Sequence, residues 1–464
     1  MTKARTTDRS GNLRIKQSKV MKPRILLPVG AAIALAGYAL GKEPAVEQAI
    51  RQAPRGDMPA AASPAAAADT DPAAAPHAAD AKTSVDLGLK WLAGQQHADG
   101  GWGQGGGWRI DTSNQGGGRI EGAEVSDPAD IGNTAIALKS FLRAGTKLDD
   151  GQYAGVASKA AEFLFKAVEK SDEESLFVTE VRGTQLQSKI GPYVDTFLAM
   201  QVLADLKDRM PDAAAEERRA RCLAKLTAKV EKHQKDDGSF DGNTAWAATV
   251  SQGIASKALN GAWAAGAPVA QSTLQKDHAQ NATGLDRKSG DVAAGAGGVS
   301  DAGVAIYRYA SKLGGMADFA KNNIQRRDEL QQTLAAADTG KDARAKAREE
   351  LTRIDQAEKD KDVLLANVAE QAGQAQFVSG FGSNGGEEFV SYMNIAEAMH
   401  ARGGKPWNEW QVRMDGMMRS AQHSDGSWSG QHCITGRTFC TATAVLTLTA
   451  DRLPAVEPVA AKPE

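Results

Sequence analysis

The residues best equipped for chemistry in this sequence lie near its C-terminus, in the stretch GQHCITGRTFC, which brings His432, Cys433 and Cys440 close together. Imidazole and thiol are the ligand types of zinc. His432 and Cys433 are adjacent, however, and adjacent side chains struggle to point at one cation, so no metal is expected. In an exported chain Cys433 and Cys440, on either side of a short loop, read instead as a disulfide that pins the last turn onto the last helix. Cys222 is left over and is expected to be buried. His278, His400 and His423 have no Ser or Cys partner in a recognisable nucleophile signature, and no G-x-S-x-G, H-E-x-x-H or P-loop occurs. No cofactor is predicted.

Composition narrows the classes that remain. The chain has 464 residues, of which 42% are hydrophobic and 24% charged, with a net charge of −2. It can bury a large core and has no general electrostatic attraction for nucleic acid. Residues 1–41 combine basic residues from Lys3 to Arg24 with the apolar run ILLPVGAAIALAGYAL, the pattern of an export signal or signal anchor. The rest of the chain is therefore expected outside the cytoplasm, held at an inner membrane facing the periplasm, or secreted if the leader is cleaved at Ala34-Leu35-Ala36. Residues 42–82 are an Ala/Pro-rich tether with too few large apolar side chains to order themselves. The folded part is expected over 83–452, followed by a disordered tail over 453–464.

Three stretches repeat: QQHADGGW, HQKDDGSF and QHSDGSW. Each sets a Gln four residues before a Gly and an aromatic two residues after it, at Gln96/Trp102, Gln234/Phe240 and Gln422/Trp428, with Asp99, Asp237 or Asp425 just before the Gly. A helix ends near the Gln, Asp-Gly makes the reversal, and the aromatic packs back over the turn. These residues are structural. After the turns come small-residue apolar segments opening at Asn133, Asp195, Asn243, Asp301, Val390 and Cys440. More polar amphipathic segments lie between them, at 83–97, 153–170, 213–234, 266–280, 316–375 and 406–421. The pattern predicts an all-α fold in which six inner and six outer helices close into an (α/α)6 toroid, one continuous domain because no single repeat can bury its own apolar face. Residues 316–375, rich in Glu, Lys, Arg and Gln, are expected to project as a helical hairpin, a surface for a protein partner.

The first repeat, GLKWLAGQQHADGGW, resembles the QW motif of the prenyltransferase and squalene-oxidase repeat family at Gly88, Trp91, Leu92, Gln96, Gly101 and Trp102. The other two copies match it more loosely. The resemblance implies an α/α toroid of the terpenoid cyclase and protein prenyltransferase kind, with a ligand in its lumen. The chemistry of those relatives is not matched. There is no D-x-D-D cluster, no DDxxD, and no scattered Asp, Cys and His set for zinc. An aromatic content of 5% leaves few rings to stabilise carbocations.

The expected ligand site is the cavity mouth at the starts of the inner helices: Asn133, Tyr193, Asp195, Asn243, Asp301, Glu388, Tyr392 and Arg437. Asn and Asp there are natural N-caps. Converging helix N-termini would also favour an anionic head group, helped by Arg437 and Lys189 and opposed by Glu387 and Glu388. The protein is expected to bind a small apolar, isoprenoid-like or peptide ligand without a recognised catalytic cluster. The alternatives are a divergent prenyl- or glycan-active enzyme, with Tyr193, Tyr392, Asp195 and Glu388 in reach of such roles, and an envelope scaffold acting through the hairpin.

Overall fold

Segments that are apolar all round alternate with segments apolar on one face, and the two kinds settle into concentric layers. A computed structural model describes residues 80–108, 119–120, 126–336 and 338–453. The expected leader, nearly all of the tether and the tail lie outside the described residues. The helices are α1 (Ala81–Gln95), α2 (Ile131–Arg143), α3 (Ala154–Lys170), α4 (Gln185–Ile190), α5 (Val194–Asp205), α6 (Ala213–His233), α7 (Ala248–Ala264) and α8 (Gln271–Ala282). They continue with α9 (Ala305–Asn322), α10 (Ile324–Ala335), α11 (Lys341–Gln371), α12 (Ala375–Val378), α13 (Gly386–Arg402), α14 (Gly404–Ala421) and α15 (Arg437–Leu448). Among the described residues the only strands are a two-residue ribbon pairing 107–108 with 119–120. No described helix is long and apolar enough to cross a membrane.

Helices α2, α5, α7, α9, α13 and α15 each pack on the next, and α15 packs back on α2, so the inner ring is closed. Around it, α1 lies on α15, α3 on α2, α6 on α5, α8 and α11 on α9, and α14 on α13. Burial explains the layering. Every residue of α5 from Val194 to Ala204 is buried, whereas α3 buries Ala157, Ala160, Ala161, Leu164, Phe165 and Val168, a single stripe at helical spacing. Helix α15 is built of Thr and Ala, whose small side chains let it sit between two neighbours. Its hydroxyls bond carbonyls one turn back, as in Thr443 Oγ1 to Phe439 O at 2.7 Å and Thr447 Oγ1 to Thr443 O at 2.8 Å. The chain is thus an (α/α)6 toroid, as the repeat count predicts.

The turns show what holds the outer layer. Gln96, Gln234 and Gln422 donate to Val156 O (2.9 Å), Thr273 O (3.2 Å) and Ser84 O (2.9 Å), each a carbonyl in the first turn of the next outer helix. Three residues further on, the turn glycine meets the same helix. A Cβ at Gly100, Gly238 or Gly426 would lie 2.5, 2.3 or 2.7 Å from the carbonyl oxygen of Lys159, Lys276 or Leu87, and all three have φ between +80° and +94°. Asp99, Asp237 and Asp425 each accept the amide two residues on, at 2.9 to 3.0 Å. The Trp102 and Trp428 indoles donate back to Leu92 O (2.7 Å) and Met418 O (2.8 Å), a bond Phe240 cannot make. A fourth turn, in LDRKSGDV, has the same plan without the Gln or the aromatic. Gly290 would place a Cβ 2.4 Å from Val363 O, and Arg287 pairs with Asp360 through bonds of 2.8 and 2.9 Å. The sequence pattern missed it because an ion pair replaces the amide contact.

The charged segment is more deeply part of the ring than expected. The second half of α11 buries Leu364, Leu365 and Val368 in the main core, so it is the outer helix of the fifth unit. Only α10 and the first half of α11 form a separate arm, with a small core of Leu330, Ala347 and Ile354 and an Arg326–Glu350 ion pair of 2.7 Å.

Polar groups also cross the ring. Glu397 of α13 receives Arg143 of α2 at 2.8 Å and Lys257 of α7 at 2.8 Å, and Lys257 also meets Asp318 of α9 at 2.9 Å. None of α2, α7 and α13 is an immediate neighbour of another in the ring, so this belt spans the lumen. Behind α7, the buried Asp277 accepts Ser256 Oγ at 2.6 Å and holds one oxygen without a partner. Burial raises it to about 7, against bonds from Ser256 and Asn260 and the nearby Lys312. A carboxyl raised in the fold adds stability that is full below its unfolded value and is lost as pH rises through about 7. Asp277→Asn should therefore flatten the fall in stability between about pH 4 and 7, by up to about 1.4 kcal/mol per pH unit, in urea titrations of both proteins. Parallel slopes would refute the assignment.

Candidate functional site

The starts of the inner helices gather at one mouth of the ring, and the sequence NGGEEF at the start of α13 sets its chemistry. Glu388, fully buried, reaches back to accept the Gly385 amide at 2.8 Å, closing the first turn. Its carboxylate also accepts the Phe381 amide at 3.0 Å and the Tyr307 hydroxyl of α9, and lies 3.3 Å from His432 Nε2. Glu387, one residue earlier and also fully buried, accepts the Ile434 amide at 3.2 Å with one oxygen, while the other has no partner.

The loop before α15 is drawn tightly onto this turn. Gly386 N donates to Ile434 O at 2.9 Å, and a Cβ at Gly386 would lie 2.5 Å from the Ile434 side chain. Gln185 of α4 holds the loop from across the mouth, donating to Cys433 O at 2.6 Å and accepting the Thr435 and Gly436 amides at 3.1 and 3.0 Å. His432 Nε2 lies 2.8 Å from Ser383 O, which leaves Nδ1 buried without a partner. Cys433 has φ +48°, a left-handed conformation uncommon outside glycine. That turn brings adjacent side chains to one point: a carboxylate oxygen of Glu387, a ring nitrogen of His432 and the Cys433 sulfur all lie within 4.8 Å of one another.

Two expectations are corrected here. His432 and Cys433 do converge, because the left-handed residue removes the divergence assumed for neighbours. Cys433 and Cys440 form no disulfide: Cys440 is buried in α15, with its sulfur 3.6 Å from Ile434 O. Cys222 is buried and free.

The other expected mouth residues divide into one pair and several separate contacts. Asn133 sits inside the first turn of α2, and the N-cap is Asp130, which accepts the Asn133 amide and side-chain amide, both at 2.8 Å. Asp195, in the first turn of α5, accepts from Gln187 and faces Asp130. Burial, with the charge of Asp195, raises Asp130 to about 7, and burial raises Asp195 to about 6 against the bond from Gln187. Tyr193 packs on Phe177 with centroids 4.9 Å apart. Asn243 accepts Ser251 Oγ at 3.3 Å, and Asp301 pairs with Arg308 at 3.1 Å. Tyr392 is buried in α13 with its hydroxyl donating to Val378 O at 2.6 Å, and Arg437 pairs with Asp425 at 2.7 Å. Asn243 and Asp301 precede their helices and cap neither.

The mouth is acidic, with Asp130, Asp195, Glu387 and Glu388 buried in it, which weighs against an anionic head group there. Burial and the charge of Glu388 raise Glu387 to about 7. Burial pulls His432 down, but Cys433, Glu388 and the Ser383 carbonyl outweigh it and lift the ring to about 11. Tyr307 is raised by burial and by both glutamates. Beside the cluster, Phe381 is 53% exposed, 5.2 Å from the His432 ring and 6.1 Å from the half-exposed Trp246. Sequence reasoning missed Glu387 as a partner of His432 and Cys433. The doubled acid at a helix start was a visible signal, but not its distance from the loop.

No protein-family model and no curated protein matches the chain. Among solved structures it is similar to an inactive variant of an α-1,6-mannanase from Salegentibacter, in complex with α-1,6-mannotriose. The identity is 10% over 81% of this chain and 99% of that one, with a TM-score of 0.47. It is also similar to a type II terpene cyclase from Scytonema, at 12% identity over 80% of this chain and 97% of that one, with a TM-score of 0.31. Both are α/α toroids. At such scores neither comparison carries an argument, and the toroid rests on the helix packing described above.

Proposed function

We propose that the protein is a metal-dependent toroid enzyme whose centre is a zinc-type divalent cation held by Glu387, His432 and Cys433. The observation that carries this reading is the convergence of three ligand types within 4.8 Å, with an oxygen of Glu387 and a nitrogen of His432 both buried and otherwise unpartnered. Such atoms are costly to leave unsatisfied, and a cation that takes the place of the His432 ring proton would satisfy both. The surroundings suit the role. Glu388 and Ser383 O fix the far nitrogen of His432, the carboxylate–histidine support that orients metal ligands, and Tyr307 in turn fixes Glu388. Three protein ligands leave a position open, the pattern of catalytic rather than structural zinc. A cation there would supply Lewis acidity to a bound water, thiol or carbonyl. Phe381 and Trp246 offer an apolar approach, which favours a substrate with an apolar or peptide-like group beside its reacting atom.

Cobalt titration of purified, metal-stripped protein tests the proposal. One equivalent of Co2+ should produce thiolate-to-metal charge-transfer absorption, Cys433→Ser should abolish that band, and Glu387→Gln should weaken binding. Tyr307→Phe should retain the band, with affinity lowered by about tenfold or more, in line with other losses of outer-shell support. A wild-type protein that takes up no stoichiometric cation, or a band that survives Cys433→Ser, would remove the proposal.

A further inference from the structure

The opposite mouth of the ring, where the inner helices end, has a chemistry of its own. A cavity of about 640 Å³ lies there, bounded by the ends of α2, α5, α7, α9 and α13 and by the base of the α10–α11 arm. That is the size of a small-molecule site. Its acids are already engaged: Asp205 with Lys139, Asp318 and Glu397 with Lys257, and Glu358 and Asp362 with Lys361. Its remaining cations are not. Lys207, Lys321, Arg327 and Arg402 line the cavity and have no carboxylate partner among the described residues, and Arg327 is half-buried. Two deeper groups lack partners altogether, Nη1 of Arg143 and Oδ1 of Asn394, both in side chains at least nine-tenths buried.

We infer that this cavity is a binding site for a small multivalent oxyanion of the phosphate-ester or polycarboxylate class. The carbonyl ends of the inner helices place partial negative charge at this mouth, and by themselves they would repel such a ligand. Cations in excess of the acids outweigh them, and guanidinium groups such as those of Arg143 and Arg327 match oxyanion geometry through paired N–H donors. Asn394 Oδ1 supplies an acceptor for a hydroxyl or amide of the same ligand. Eight Lys and Arg side chains and five Asp and Glu side chains stand among its lining residues, which sets it against an isoprenoid tail, the occupant the sequence suggested for the lumen. This site is at the other end of the ring from Glu387, His432 and Cys433, and it does not depend on the metal proposal.

Calorimetric titration of the full chain with inorganic pyrophosphate and with citrate tests it. Wild-type protein should bind at least one probe saturably. The double variant Lys321→Gln/Arg327→Gln removes two cations that make no ion pair, so it should fold normally and bind roughly a hundredfold more weakly. Cys433→Ser should bind as wild type does, which separates this site from the metal centre. No saturable binding of either probe, equal binding by the double variant, or binding lost with Cys433→Ser would each overturn the inference.

Discussion

Glu397→Ala is expected to destabilise the ring by about 3–5 kcal/mol, the scale for removing one partner of a buried ion pair. Glu397 is 8% exposed and holds Arg143 and Lys257 from two other inner helices at 2.8 Å each. Burial alone would raise its carboxyl, but Lys257, Arg143 and Lys139 outweigh burial and hold it well below the usual carboxylate range. A depressed carboxyl contributes stability that is present at neutral pH and lost only as pH falls through its low folded value. Truncation therefore leaves two buried cations, one with no carboxylate at all and the other with Asp318 alone. Urea denaturation at pH 7 measures the loss. Replacing the group together, with Arg143→Met, Lys257→Met and Glu397→Leu, should recover much of it, because apolar side chains of similar volume avoid the desolvation cost. A Glu397→Ala protein as stable as the parent would show that the belt is solvated and contributes little.

Trp428→Ala is expected to cost a similar amount, about 3–5 kcal/mol, and to act unevenly. The ring is shut by contacts between the chain's far ends. Gln422 donates to Ser84 O, Gly426 lies against Leu87, and Trp428 sits so close to Gly88 that a Cβ there would be 2.9 Å from the indole. The indole also donates to Met418 O, and the Trp428 amide donates to Thr441 Oγ1 at 2.9 Å. Losing the ring system removes packing from the α1, α14 and α15 junction. Amide hydrogen exchange under native conditions should show α1 losing protection first, below the global unfolding energy. If α1 and α7 lose protection together, ring closure is not the weak link and this reading fails.

Much of this fold was legible because its rules are local and repeated. The period of apolar residues, the small-residue runs and the Gln…Asp-Gly…aromatic turns each report on about ten neighbouring residues, and they located all six inner helices. Where a different local solution met the same geometric need, as at Arg287–Asp360, the pattern was silent. The N-cap of α2 was misplaced by three residues because Asp130 and Asn133 both carry capping chemistry, and only the backbone shows which one stands outside the helix. The charged arm was read whole because composition does not distinguish the half of α11 that faces the ring.

The sequence by itself determined that the chain is a helical ring with stapled turns, since periodicity and turn chemistry leave few other ways to bury those faces. Only the tertiary structure decided where chemistry can occur. Glu387 stands 45 residues from His432, and the left-handed backbone at Cys433 is set by packing against α13 and Gln185, not by local propensity. The Arg143–Glu397–Lys257 belt and the charged cavity beside it arise from the way distant helix ends meet when the ring closes. Direction and distance between remote side chains are properties of that closure, which no window of sequence contains.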